Sequence, residues 1–568
     1  MGEAPYQSLN DLSIPEMPVT AAIYFHPEGY STRGPKLMGR NAAGESFLRG
    51  FLRHSQTERF WAQVPRRGFG KLFAEAVRAE GRNEPVSVVD RANRAHLRQV
   101  GMVYYPGPGI GQHAWERAAF GHAGWSLCGI THTTSSAGAM DSIAELLMAP
   151  VQPWDAVICT STAVKDNVER VLASQEQYLR ERMGAARIPR PQLPVIPLGI
   201  HVDDFQFSEQ EKLLARERLG AGPGTHVVLF MGRLSFHAKA HPLAMYQALE
   251  RAASSLPAGE NVLLVECGWH GNEPIAQAFR DGAAMACPSV RVITLDGRVA
   301  EERQRAWAAA DVLCSLADNI QETFGIVPIE GMAAGLPVVV SDWDGYRDTV
   351  RDGVDGFRIP TAMPSRGHGG DLALRHAFGM DTYDMYCGHT CSVIAVDVEA
   401  TARVFSRLFA SPALRRELGV AGRQRAREVY DWSVIIPQYE ALWKMQRALR
   451  QEAGADAHRP VLWPARMDPF DGFAAYPTTT LDHNTTLALA FQDAGSACAR
   501  VEQLRTLRMV EFAAYVLPSS EEVEALLNIL AAGPATVSQI GGALGPNRPR
   551  HYTRKLGWLL KLGVIRLV

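Results

Sequence analysis

At 568 residues the chain is longer than one hydrophobic core usually serves, so a single small module is excluded and two or more domains are expected. Apolar residues at 46% and charged residues at 21% exclude global disorder. With 58 basic against 60 acidic side chains, a net charge of −2, no overall field steers polyanions, and any basic patch must be local.

The amino-terminal Met1-Gly2-Glu3-Ala4-Pro5-Tyr6 has neither a basic start nor an apolar run of signal-peptide length, and no uncharged run reaches the span of a bilayer. The eight cysteines are scattered, several within apolar runs, and read as reduced, buried thiols. A cytoplasmic protein is expected, with peripheral membrane contact left open. Continuous apolar runs then recur at 21–25, 101–105, 156–159, 227–230, 262–265, 292–295 and 337–340, separated by helical stretches. Parallel strands buried on both faces read this way, so the expected class is α/β, doubly wound.

After the first run, the Gly-containing stretch 34–47 opens a helix, where Gly39 and Gly44 would let backbone approach phosphates or serve merely as turn and helix-start residues. Gly129-Ile130-Thr131-His132 ends a run at a strand's carboxyl edge. Ala221-Gly-Pro-Gly-Thr225 follows a charged helix at 209–219 and punctuates a boundary between two sheet-containing domains, placing a hinge near 200–225.

The most informative stretch runs from Glu322 through Glu330 to Gly335-Leu336-Pro337 and the apolar Val338–Val340. Glu322 falls in a loop ahead of a helix, free to accept bonds from ligand hydroxyls, and Glu330 lies about two turns further on, toward the same crevice. The Phe324 and Gly325 N–H groups at the positive end of that helix make a seat for phosphate oxygens. Hydroxyls beside a phosphate point to a nucleotide sugar.

This acid pair, with seven residues between, resembles the signature of glycosyltransferase family 4, retaining enzymes of the GT-B fold in which two Rossmann-like domains face each other across a cleft. Val227–Ser235 with its Gly232-Arg-Leu-Ser loop, Leu193–Ile200 with Phe205, and the turns at 342–348 and 352–357 are similar to family segments in family order. The likeness covers roughly 20–450 and is strongest from 195 to 360. It implies that Glu322 binds sugar hydroxyls, Glu330 the ribose, and Arg233 and Lys239 the diphosphate. The Gly297-Arg298-Val299 turn would lie beside the base, and His132 would contact sugar or acceptor. Fixed cations can stabilise a leaving diphosphate, so no cofactor or metal is expected. The loop to Lys239 is one residue longer than the family's, and Ala240 replaces its usual Gly.

The domains expected are an acceptor-side Rossmann-like domain at 1–205, a nucleotide-sugar donor domain at 206–430, a helix crossing back at 431–450, a linker or irregular strap at 451–500 and a winged-helix-like domain at 501–568. The last rests on helices at 521–532, 536–544 and 549–562 before a terminal strand. Its Arg548, Arg550, Arg554, Lys555, Lys561 and Arg566 make it basic, yet winged helices often bind proteins, so protein or membrane-surface contact is preferred to DNA. Cys387 and Cys391 with His368 and His376 match no common zinc spacing. The segment 364–392, longer than the family usually has, is read as a lobe near the cleft.

The function expected is retaining transfer of a sugar from a nucleotide-diphosphate donor to an acceptor hydroxyl, a hexosyltransferase-type activity. Arg233, Glu322 and His132 are the catalytic candidates, and Lys239, Glu330, Phe324, Gly325, Gly39, Gly44, Arg298 and Val299 the donor-binding ones. The alternatives are a GT-B epimerase or phosphorylase, or a silent GT-B scaffold that binds or regulates through its tail.

Overall fold

The apolar runs become the strands of two six-stranded parallel sheets. The computed structural model describes residues 19–31, 39–547, 549 and 551–568; Arg548 and Arg550, and the beginning of the 34–47 stretch, lie outside the described residues. The first sheet contains β1 (Ala22–Tyr24), β2 (Phe60–Gln63), β3 (Val86–Val89), β4 (Met102–Tyr104), β5 (Ser126–Ile130) and β6 (Ala156–Ile158), in the order β3-β2-β1-β4-β5-β6. The second contains β7 (Thr225–Met231), β8 (Asn261–Gly268), β9 (Arg291–Asp296), β10 (Val312–Ser315), β11 (Val338–Ser341) and β12 (Gly356–Ile359), in the order β12-β11-β10-β7-β8-β9. Counted within each half, the order is 3-2-1-4-5-6 both times, that of a dinucleotide-binding fold. The two Rossmann-like domains expected are present.

The chain crosses between the halves twice, and the crossings lie side by side. The Ile200 N–H donates to the Tyr430 carbonyl at 2.8 Å, and the Trp432 N–H donates to the Ile200 carbonyl at 3.1 Å. Gly199 is required by this approach, because a Cβ there would sit 2.5 Å from the Trp432 ring. Beyond the second crossing, the helix Trp432–Gln451 lies on the first half. Its Trp432, Tyr439 and Trp443 pack on Phe47 and Phe51, and Gln446 Nε2 donates to the Leu127 and Trp154 carbonyls at 2.9 and 3.0 Å. Burying three such aromatic side chains contributes several kcal/mol, at about 25 cal/mol per Å² of apolar surface.

The first half also buries an ion pair completely. Arg117 donates to both Asp155 oxygens, at 2.6 and 2.8 Å, and to the Trp125 carbonyl, while the Leu127 N–H donates to the same carboxylate. Such a pair is tolerated because nearly all its polar atoms are satisfied, Arg117 Nε being the exception.

After β12, a short antiparallel pair, β13 (Thr361–Ala362) with β14 (Ala395–Val396), closes the base of an excursion holding helices Gly370–Ala377 and Tyr383–Cys391. Among the described residues no helix is long and apolar enough to cross a membrane.

Residues 464–568 form a separate compact unit. Its helices Ser520–Ala531, Val537–Ala543 and Tyr552–Lys561 precede a terminal strand, and Leu487, Val523, Leu526, Leu556 and Leu559 are among its buried core. The sheet has the order β16 (Ala535–Thr536), β15 (Thr486–Leu489), β17 (Ile565–Leu567), all antiparallel. This corrects the expected strap at 451–500, which contains β15 and the start of the helix Ala494–Arg505. Four residues carry too short a pattern to announce a strand, and only pairing with β16 and β17 defines it.

Candidate active site at the carboxyl edge of the second sheet

In an open parallel sheet the crevice lies beyond the carboxyl ends of the strands, where the strand order reverses. In the second half that point falls between β7 and β10, and the loops after them carry Arg233, Lys239 and Glu322. Val338–Val340 and Leu313 are wholly buried, which holds the sheet beneath these loops rigid.

The Lys239 ammonium forms an ion pair with the Glu322 carboxylate. Lys239 and Glu322 are 23% and 10% exposed, so the pair is largely shielded yet reachable. The longer loop therefore still delivers Lys239. Arg233 stabilises that loop from within: its Nη2 donates to the Ala238 carbonyl at 2.6 Å and to Gln321 Oε1 at 3.3 Å. Burial pushes the Glu322 carboxyl up, but the Lys239 charge and hydrogen bond, with the Thr323 and Phe324 N–H groups, outweigh it and hold the group below its usual range. The Phe324 N–H thus faces a carboxylate of its own chain, and the Phe324 ring is buried near Tyr430.

Gly325 caps the helix Ile326–Ala333 in the left-handed region at φ 87°, and a Cβ there would lie 2.0 Å from the Tyr346 ring. Only glycine meets both conditions. Glu330, in the second turn of this helix, is pushed up to about 7 by burial, with Arg303 opposing. Arg303 Nη1 in turn donates to the Gly297 carbonyl at 2.7 Å, which links Glu330 to the Gly297–Val299 turn. Val299 precedes the helix Ala300–Ala309 and is 40% exposed. The Arg298 guanidinium folds back on Asp296, donating to both its oxygens at 2.7–3.2 Å. Arg298 and Asp296 line a cavity of about 490 Å³ with Gly268, His270 and Thr294; neither Arg233, Glu322 nor Glu330 lines it.

From the first half, the loop after β5 reaches this edge. Thr323 Oγ1 donates to the His132 carbonyl at 3.3 Å, and Ser161 Oγ donates to the Thr323 carbonyl at 2.8 Å. His132 therefore stands next to the residue following Glu322. Gly39 opens the helix Gly39–His54 as expected, but Gly44 lies within that helix, and a Cβ there would sit 2.1 Å from the Gly29 carbonyl. This corrects the reading of Gly44 as a phosphate-facing loop residue: its N–H belongs to the helix, and its size is set by packing.

Two further acids of this edge, Asp344 and Asp318, were not among the site residues expected from the sequence. Asp344 has φ 45°, Oδ2 buried without a hydrogen-bond partner among the described residues, and a carboxyl raised well above its usual range by burial and by the Glu322 charge. Asp318 is pushed up to about 7 by burial, with the His241 N–H opposing. The Asp342-Trp-Asp-Gly345 run was the available hint, since Asp is among the few residues that tolerate a left-handed conformation. Among the described residues no three His, Cys, Asp or Glu side chains are grouped to hold a cation.

Residues 225–366 match the family model described as glycosyl transferases group 1. A phosphatidyl-myo-inositol mannosyltransferase of Mycobacterium leprae (strain TN) is 29% identical over 290 residues, covering 51% of this chain and 59% of that protein. A D-inositol 3-phosphate glycosyltransferase of Nocardia farcinica (strain IFM 10152) is 29% identical over 205 residues, covering 35% and 42%. The chain thus spans roughly half the length of these relatives. Among solved structures, Anabaena Alr3699/HepE in complex with UDP superposes with TM-score 0.49 at 15% identity, covering 75% of this chain and all of that one. Residues 225–366, which hold the Lys239–Glu322 pair at the switch point of a Rossmann-like sheet, are thus similar to a glycosyl transferases group 1 domain.

Proposed function

We propose that the protein transfers a sugar from a nucleoside-diphosphate donor to an acceptor hydroxyl with retention of anomeric configuration. The observation that carries this reading is the shielded Lys239–Glu322 pair beside Arg233, with Glu330 and Arg303 further along the same crevice. Lys239 and Arg233 meet the charge that gathers on the departing diphosphate, and Glu322 accepts bonds from the sugar hydroxyls once the donor engages Lys239. Glu330 would meet the ribose hydroxyls and the Gly297–Val299 turn the base, a reading supported by Arg303, which acts on Glu330 and donates to the Gly297 carbonyl. The acceptor approaches from the side of His132, and the leaving phosphate, oriented by Arg233, takes its proton on the same face. These cations let the proposal proceed without a resident metal. The named relatives, a mannosyltransferase and inositol-phosphate glycosyltransferases, support a sugar donor and a polyol-like acceptor. The C-terminal unit is proposed to dock on a protein or a membrane surface rather than DNA.

A panel of nucleoside diphosphates and their sugar conjugates tests this directly, since a ligand that binds only the native state raises the melting point. At least one base should stabilise the full chain, and Glu322→Ala should abolish turnover with the fold retained. A panel without a single shift, or wild-type turnover in Glu322→Ala, refutes the reading. Free phosphate as co-substrate or an epimerised donor would replace transfer with the corresponding GT-B reaction.

A further inference from the structure

The helix Tyr383–Cys391 rises from the donor-side half, between β13 and β14, and touches both sides of the cleft. Toward its own half it rests on the loop that delivers Lys239. A Cβ on Gly388 would lie 2.9 Å from the His237 Cβ, and Cys391 Sγ is 3.9 Å from the Phe236 and His237 carbonyls. Asn319 Nδ2 holds the same His237 carbonyl at 3.0 Å. Toward the other half, the Tyr383 hydroxyl lies 3.1 Å from Ser135 Oγ and 3.4 Å from Thr133 Oγ1. One turn along, Cys387 is buried, and the nearby Arg233 charge acts on its thiol. Thr133 and Ser135 belong to the loop that carries His132.

We propose that this helix is a clasp across the cleft and that Tyr383 is a positioning residue, its hydroxyl holding the 131–136 loop, and with it His132, over the diphosphate loop. The proposal rests on the transferase reading above and adds what closes the cleft. Closure excludes water, so it favours transfer over hydrolysis of the donor. Hydrogen bonds between neutral hydroxyls are individually weak against competing water, which lets the clasp open and reclose in each cycle. The Ser161–Thr323 and Thr323–His132 contacts remain when the clasp is lost, so its removal loosens the loop without separating the halves.

The test is Tyr383→Phe in the full chain, which deletes one oxygen from a half-buried ring. Affinities for UDP and GDP by titration calorimetry should match wild type. The ratio of transfer to donor hydrolysis should fall about fivefold, and amide exchange at 131–136 without ligand should quicken by about the same factor, that of one neutral hydrogen bond lost. Ser135→Ala, which removes the partner from the opposite half, should reproduce both changes. An unchanged ratio, unchanged exchange, or a parallel loss of UDP and GDP affinity overturns the proposal. The exchange measurement needs no turnover: quicker exchange in a protein that binds no member of the nucleoside-diphosphate panel above sinks the transferase reading and the transfer role with it, while leaving the contact itself established.

Discussion

At the switch point of the second half, between β7 and β10, charged groups crowd together: Lys239 on Glu322, with the Asp344 carboxyl raised by the Glu322 charge. At the matching point of the first half, between β1 and β4, rings pack beside the Glu116 carboxylate, which Arg94 and His113 approach at 3.2 and 3.0 Å. Tyr105 stacks on His113 at 3.9 Å, packs near Tyr24, and donates its hydroxyl to Gln63. Both halves repeat one strand order, so topology supplies a crevice twice, and the described side chains at the two crevices differ. The halves also differ in where they place their shielded ion pairs. Lys239–Glu322 is partly open to a ligand; Arg117–Asp155, at 0% exposure for both side chains, is walled into the core.

Substitutions should separate these two pairs. Lys239→Met should lower turnover about 100- to 1000-fold, the cost of removing one preorganised charge from a developing anion, with a smaller loss of stability than Arg117→Met because Glu322 keeps some exposure and can take up a proton. Steady-state kinetics beside thermal denaturation checks this, and a purely structural loss would undo the contrast. Arg117→Met should do the reverse, costing about 3–5 kcal/mol by stranding Asp155 in the core, as read by chemical denaturation. Its activity per folded molecule should be retained.

Glu330 offers a pH test of the donor side. Its folded carboxyl stands at about 7 against an ordinary 4.5, so the native state binds the extra proton, and stability present below the unfolded value is lost as pH rises through about 7. Glu330→Gln removes the ionisable group. The variant should be more stable than wild type at pH 8, and the advantage should vanish by about pH 5. Equal differences at both pH values would show that the group titrates normally. The smallest effect is expected at Arg298. Its exposed pair with Asp296 is screened by water, so Arg298→Ala should leave the melting point unchanged within error.

How much of this was legible beforehand follows from the range of the interactions. The strands at 227–230 and 338–340 announce themselves because burial on both faces demands unbroken apolar runs. Glu322, Gly325 and Glu330 were readable because one loop and one short helix place all three. Gly44 was misread because its constraint comes from the Gly29 carbonyl, fifteen residues away. The strand β15 was missed because its partners stand about fifty and eighty residues later in the chain. The Tyr383 clasp joins groups about 250 residues apart, and no local pattern records such a pairing.

Periodicity and short-range geometry were enough to establish an α/β chain with an acid pair around a helix start, because burial and helix pitch act over neighbouring residues. Tertiary contact alone decided that Lys239 reaches Glu322 through a lengthened loop, that Asp344 joins them, and that the excursion after β12 spans the cleft. Those outcomes depend on which distant side chains the fold brings within a few ångströms, where electrostatic and hydrogen-bonding energies act.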